Sequence, residues 1–210
     1  MAGEWLLPLV IGGFREQYPA VTVSLQIGGS PQISQWLKNR EVEMGILGMP
    51  VKSEDVECRP WVRDPVAVIT PPWHPLNGRE EAPADLTNES IIVREDGSGN
   101  RQALEQQLSN FHISLDQFAN IYDLGSPQAV INAVRMGLGI GVVSRWAAGE
   151  LIEKGVLGEV RVPEMDLSYD LYLAWNRPDS ESLASRAFRL FISSEEITGR
   201  FKKGMGFFSR

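Results

Sequence analysis

The sequence predicts an α/β protein built as two lobes with largely parallel sheets. Three observations carry this expectation. Strand-like and helical runs alternate along the chain, the pattern of strand–helix–strand units. The tetrapeptide Gly-Ser-Pro-Gln occurs twice, at Gly29–Gln32 and Gly125–Gln128, each time after a strand-like run and before a helical one. Two breaks, Pro71-Pro72-Trp73-His74-Pro75 and Pro163-Glu164-Met165-Asp166, divide the chain so that its ends form one lobe and its middle the other. The expected division is 1–68 with 168–197 as lobe I, 69–167 as lobe II, and 198–210 as a C-terminal tail.

The elements follow in order. Glu4 to Gln17 reads as a helix, with Leu6, Leu9, Val10 and Phe14 at helical spacing and Pro8 near its start. Val21, Val23, Leu25 and Ile27 alternate with polar residues, which predicts a strand with one face in the core. The first Gly-Ser-Pro-Gln opens a helix carrying Ile33, Trp36 and Leu37; Ser can accept from exposed helix N–H groups, and Pro loses nothing in the first turn. Met44–Leu47 and Trp61–Thr70 are strand-like. Ser90–Arg94 is a strand leading through Gly97-Ser98-Gly99-Asn100 into a helix with Ala103, Leu104 and Leu108. Phe118–Leu124 is strand-like, and the second Gly-Ser-Pro-Gln opens a helix with Val130, Ala133 and Val134 on one face. Ile140–Val143, a helix from Arg145 to Lys154, a strand at Leu167–Trp175 and a last helix with Ala184, Ala187, Phe188, Phe191 and Ile192 complete the chain.

Composition narrows the function classes. A chain of 210 residues with 43% hydrophobic and 22% charged residues has the make-up of a globular protein. A net charge of −7 argues against nucleic-acid binding by this chain, since phosphate contacts need clustered Lys and Arg. The one basic cluster, Arg200, Lys202 and Lys203, reads as a frayed terminus. Cys58 is the only cysteine, so neither an internal disulfide nor a cysteine-based metal cluster is expected. No apolar run is long enough for a membrane span, and Leu6–Ile11 lies in an amphipathic pattern rather than a secretion signal. A cytoplasmic location without a membrane partner is therefore expected.

Several runs complete a larger pattern: Gly3-Glu4-Trp5-Leu6-Leu7-Pro8, then Phe14-Arg15-Glu16-Gln17-Tyr18-Pro19, Gly29-Ser30, and Leu37 through Leu47. His74-Pro75-Leu76 and Gly137-Leu138-Gly139-Ile140-Gly141-Val142-Val143-Ser144 extend it. Together, over about residues 3 to 192, these resemble the effector-binding domain of LysR-type transcriptional regulators, with Glu43 where that family usually has Asp. The resemblance implies a fold of the type 2 periplasmic-binding-protein kind, two Rossmann-like lobes joined by two crossover strands. It also implies a small effector bound between the lobes, which the capped helix starts with Ser98 and Asn100 favour as an anion and the abundance of Trp allows to be aromatic, and homodimers or tetramers whose geometry the effector alters. DNA binding would come only through a winged helix-turn-helix domain. That domain, its linker helix and the strand the family places before Gly3 have no counterpart in this sequence.

The family's effector contacts come from the turn before the second helix, the end of the following strand, and the helix starts of the opposite lobe. Carried onto this sequence these are Ser30, Gly48 with Met49, Ser98, Gly99 and Asn100, and Ser126. Ser30 and Ser126 can instead simply cap their own helices. Gly99 allows close backbone approach, while Ser98 and Asn100 offer adjustable hydrogen bonds. Arg101 could pair with an anion or face solvent. Trp5, Phe14, Ile33 and Trp36 are the candidate dimer surface, or else they fill the first lobe. His74 reads as part of a turn, His112 as a loop residue and Cys58 as an inert thiol. Asp96-Gly97-Ser98-Gly99 lacks the Lys of a phosphate loop, and Glu80, Glu81, Asp116 and Asp123 form no acid–base pair. No catalytic residue, cofactor or metal site is expected, and the chain does not read as an enzyme. A solute-binding protein of the same fold is the alternative.

Overall fold

The computed structural model describes residues 2–177 and 181–202. The chain splits into two compact units, Met1–Arg63 with Asp170–Arg210, and Asp64–Tyr169. The chain passes from one to the other twice, inside β2 (Val56–Thr70) and inside β7 (Ser168–Asn176), rather than at the two proline-rich breaks.

In the first unit the predicted N-terminal helix is two pieces, α1 (Ala2–Trp5) and α2 (Leu7–Gln17). Pro8 lies in the first turn of α2, where its missing N–H costs nothing. Helix α3 (Ser30–Lys38) packs on β1 (Met44–Leu47), which pairs antiparallel with β7 from Met44↔Trp175 to Leu47↔Tyr172. The strand order is β1-β7-β2. Phe14, 0% exposed, stacks on Tyr18 and meets the edges of Phe188 and Phe191 from α7 (Leu183–Ile192). A second cluster gathers Leu37, Leu47, Val56 and Ala174.

Two expectations for this unit are corrected. Val21–Ile27 forms no strand: no ladder partner lies beside it among the described residues, and Ile27 is 53% exposed. Alternation supplies a face to bury, but a strand also needs a neighbour for its N–H and C=O groups. The C-terminal residues do not fray at Arg200 either. They form α8 (Glu195–Lys202), where Arg200 pairs with Glu196 and the buried Phe201 ring meets Trp61 edge-on at 5.3 Å. Lys203 and the rest of the expected tail lie outside the described residues.

The second unit contains the parallel pairing that the sequence predicts. Strands β3 (Ser90–Arg94), β4 (Asn120–Leu124) and β5 (Ile140–Ser144) are linked by α4 (Gly99–Ser109) and α5 (Pro127–Arg135). Parallel neighbours need such long crossovers, and β3 pairs parallel with both β4 and β5. Strand β2 and the short β6 (Gly158–Val160) join antiparallel, giving the order β2-β5-β3-β4 with β6 also on β2. Helix α6 (Arg145–Glu153) follows β5. The core gathers Val66, Val68, Ile91, Val93, Leu104, Leu108, Ile140 and Val142, all buried.

Candidate functional site

In the first unit, two of the predicted residues meet directly. The Gly48 N–H, just beyond β1, donates to Ser30 Oγ at 3.0 Å. Ser30 therefore does not cap its own helix; Gly29 occupies the N-cap with extended backbone, and no side chain caps α3. Met49 follows, half-buried. The turn is tight, since a Cβ at Gly28 would lie 2.7 Å from Gln32 Oε1 and 2.9 Å from the Trp36 ring.

In the second unit, β3 ends and the chain turns at Gly97, whose φ of +80° suits glycine. Ser98 is the N-cap of α4: its Oγ accepts from the Arg101 N–H at 3.3 Å and its carbonyl from Gln102 N at 3.0 Å. Asn100 is 2% exposed, yet neither its Oδ1 nor its Nδ2 has a hydrogen-bond partner. An unpaired buried polar group costs about 1–3 kcal/mol, which makes this amide a candidate contact. Gly99 plays a different part from the one expected: the Tyr169 ring occupies the space a Cβ would need. Arg101 is not free for an anion. Its Nε binds Glu105 at 2.8 Å and its Nη1 binds Asp123 at 2.6 Å and the Arg94 carbonyl at 3.3 Å. The hydrogen bond to Glu105, ahead of the Asp123 contact, raises its pKa from the ordinary value.

Ser126 caps α5, accepting from Ala129 N at 3.1 Å. Arg94 at the end of β3 is in register with Leu124 at the end of β4. The Ser98 and Ser126 turns therefore leave the same edge of adjacent parallel strands, beyond their carboxyl ends, where α/β sheets bind ligands.

A family model, the LysR substrate binding domain, matches residues 1–196. The chain belongs to this family. It is 31% identical over 199 residues to the HTH-type transcriptional activator CmpR of Synechocystis sp. PCC 6803, covering 93% of this chain and 64% of that protein. The chain thus spans less than two thirds of the length of that curated relative. The regulatory domain of Synechocystis CcmR in complex with 2-PG superposes with a TM-score of 0.77 at 25% identity, covering 94% of this chain and 92% of that one. The cofactor-binding domain of the Cbl transcriptional regulator superposes with a TM-score of 0.80 at 22% identity, over 95% and 88% of the two chains.

This LysR domain also holds a buried polar cluster that sequence reasoning missed. Asp64, 0% exposed, is the first residue of the second unit. Ser144 Oγ donates to its Oδ1 at 2.6 Å and accepts from Trp146 N at 3.2 Å. Asp64 Oδ2 has no hydrogen-bond partner. Burial raises the carboxyl from 3.8 to about 7, against the opposing pull of hydrogen bonds from Ser144 and Tyr169. Burial, then the neighbouring Asp64 charge, pushes the Tyr169 phenol well above its usual value. In sequence, Asp64 lies in the strand-like run Trp61–Thr70 beside Arg63, and an acid in such a run is seldom fully buried, so nothing there signals a buried carboxyl.

The remaining candidates of the LysR domain take structural places. His74 Nδ1 accepts from Leu76 N at 3.2 Å, and its Nε2 lies 3.4 Å from Glu89, as a turn residue should. His112 has φ +58° in the loop after α4. The Cys58 thiol is half-buried and accepts from Val51 N at 3.4 Å. Glu80 lies 3.8 Å from Arg161, and Asp116 accepts from Ser114. Phe14 belongs to the core of the first unit, while Trp5, Ile33 and Trp36 are half-buried. Among the described residues no group of three or more His, Cys, Asp or Glu could hold a metal, and no helix is long and apolar enough to cross a membrane.

Proposed function

We propose that this chain is the effector-sensing part of a cytoplasmic LysR-type transcription regulator, acting by ligand binding rather than catalysis. The effector is a small anion, bound within the second unit at the strand-to-helix turns by Ser98 and Asn100 with Ser126; within the first unit, the turn of Ser30, Gly48 and Met49 is a candidate contact. Asn100 carries this reading: a buried amide without a partner, in the first turn of an 11-residue helix, offers a donor and an acceptor beside N–H groups that favour negative charge. The 2-PG complex of the CcmR domain supports the ligand class. In the intact regulator, DNA is contacted by a helix-turn-helix domain. The effector acts through its different affinity for two oligomer arrangements, since a ligand without preference shifts nothing. Self-association as a dimer or tetramer uses the first-unit surface that carries Trp5, Ile33 and Trp36, but not the buried Phe14.

Thermal unfolding with 2-PG tests the reading. At a hundredfold excess over Kd, a ligand specific for the folded state adds about 2.7 kcal/mol, or roughly 5–10 °C in Tm for a chain of this size. Asn100→Ala is expected to weaken binding about tenfold, the loss of about 1.4 kcal/mol. A ligand whose affinity ignores Asn100→Ala, Ser98→Ala and Ser30→Ala alike sinks the site assignment. Sedimentation that shows only monomer at high concentration counts against self-association.

A further inference from the structure

The second unit holds its parallel strands side by side as β5-β3-β4, although the chain visits them in the order β3, β4, β5. From β3 the chain moves to β4 on one side, and from β5 it moves through α6 to β6, which pairs with β2 on the other. The carboxyl ends of β3 and β5 therefore border a switch point, where α/β sheets open a crevice for ligands. A buried group without a full set of partners borders it on each side. Beyond β3, Asn100 has both amide atoms unpaired in the first turn of α4. Beyond β5 lies Asp64. The ladder pairs Val66 with Ser144, the last residue of β5, so Asp64, two residues earlier on antiparallel β2, falls just past that end. Val66 and Val68 of β2, Ile140 and Val142 of β5 and Leu104 of α4 share one core, and Asp64 and Ser144 continue the same alternation. Asp64 and the first turn of α4 thus lie on one face of the sheet, at one edge.

The groups around Asp64 are already engaged. Ser144 Oγ accepts from Trp146 N at 3.2 Å and donates its one proton to Asp64 Oδ1 at 2.6 Å. Arg94 is forked onto Glu95 by two 2.6 Å bonds, and Arg101 is held by Glu105 and Asp123. The Tyr169 phenol favours the charged carboxyl from nearby, yet Oδ2 is buried without a hydrogen-bond partner. We propose that Asp64 is a further specificity-determining residue of the effector site in the second unit, and that it selects an anion that also carries a hydroxyl group. This selection rests on the reading of Asn100 as an effector contact.

The anion's negative group lies at the first turn of α4, where N–H groups favour it, and its hydroxyl lies at Asp64 Oδ2. A hydroxyl both donates and accepts, so it serves this oxygen as carboxylate or as acid, whereas a second negative group would be repelled by the carboxylate. Burial raises the carboxyl to about 7, so both forms are present near neutral pH. Asp64 and Asn100 are closed to bulk water, and entry is by local opening of the strand-to-helix turns. A site built to bond a hydroxyl rejects the analogue lacking it far more strongly than an apolar pocket rejects a missing methylene.

Matched pairs of monoanions that differ by one hydroxyl test this on the whole chain: lactate against propionate, and 3-hydroxybutyrate against butyrate, titrated by NMR. In at least one pair the hydroxy acid is expected to bind tighter by about tenfold or more, and the Asp64 carboxyl carbon to move with it and not with its partner. Asp64→Leu is expected to bring the two members within about threefold, while Asp64→Asn, whose amide nitrogen can donate to the hydroxyl, keeps the preference. Should Asp64→Leu fail to fold, the wild-type carbon resonance carries the test. Equal binding within both pairs, no binding of either hydroxy acid, or an Asp64 resonance that stays still overturns the proposal. Asn100→Ala is expected to weaken both members of a pair alike. Equal binding within the pairs that is lost in Asn100→Ala overturns the role of Asp64 and leaves the effector reading standing. A preference that needs Asp64 but ignores Asn100→Ala counts against the effector reading and leaves the hydroxyl at Asp64.

Discussion

The same four residues open α3 and α5, yet the two helices begin one residue out of step. At Gly29–Gln32 the glycine is the N-cap and the serine is already helical. At Gly125–Gln128 the serine is the N-cap and the proline is the first helical residue. The serine hydroxyl decides the difference. Ser126 accepts from its own helix, at Ala129 N, whereas Ser30 accepts from Gly48 on the neighbouring strand. A local motif thus sets that a helix starts, while a tertiary donor sets where. Behind each start the packing is alike, for α3 lies on Gly45 of β1 and α5 lies on Gly141 of β5.

The largest way to break the parallel is to fill those glycines. An added Cβ at Gly141 would lie 2.5 Å from Val134 Cγ2 and 3.0 Å from Val130 Cγ1, both stiff β-branched residues in a buried layer. Gly141→Ala is expected to cost about 2–3 kcal/mol in urea unfolding. Gly45→Ala meets Ile33 Cγ2 at 2.6 Å but lies in a half-buried strand, so about 1–2 kcal/mol is expected. Equal costs would mean that burial does not set the tolerance.

The two serines differ in kind. Ser126→Ala removes a cap and should cost about 1 kcal/mol, with Ser126→Gly costing only a few tenths. Ser30→Ala and Ser30→Gly both strand the Gly48 N–H, so each should cost about 1 kcal/mol, with no rescue by glycine. Rescue at both positions would show that Ser30 is a cap after all. The smallest expected effect is on effector-free stability in Asn100→Ala: relief of an unpaired amide offsets lost packing, leaving a change within about 0.5 kcal/mol. A loss above about 2 kcal/mol would mean that the Asn100 amide is bonded in solution.

These contrasts explain what the sequence revealed and what it hid. The strands at Met44–Leu47, Ser90–Arg94 and Ile140–Ser144 and the helices after both repeats were legible, because apolar spacing and start residues are local properties. The early start of β2 at Val56 was not, since Pro60 reads as a break and its missing donor is tolerated only in this setting. Among the site residues, Ser126 as a cap was readable. The Asn100 amide without a partner, the Tyr169 ring over Gly99 and the buried Asp64 were not, because each depends on residues distant in sequence.

Strand β2 enters the second unit and β7 leaves it, so that unit is one unbroken stretch of chain inserted into the other. Its parallel block can assemble as soon as that stretch has been synthesised. The first unit cannot, since contacts such as Asn176 to the Val42 carbonyl join residues 134 apart in sequence. Closing so long a span demands more chain entropy than any step within Asp64–Tyr169, unless the inserted unit has already gathered its ends. In pulse-labelled refolding, the amides of β3 and β5 should therefore become protected before those of β1, with the inserted unit serving as the template on which the first is completed.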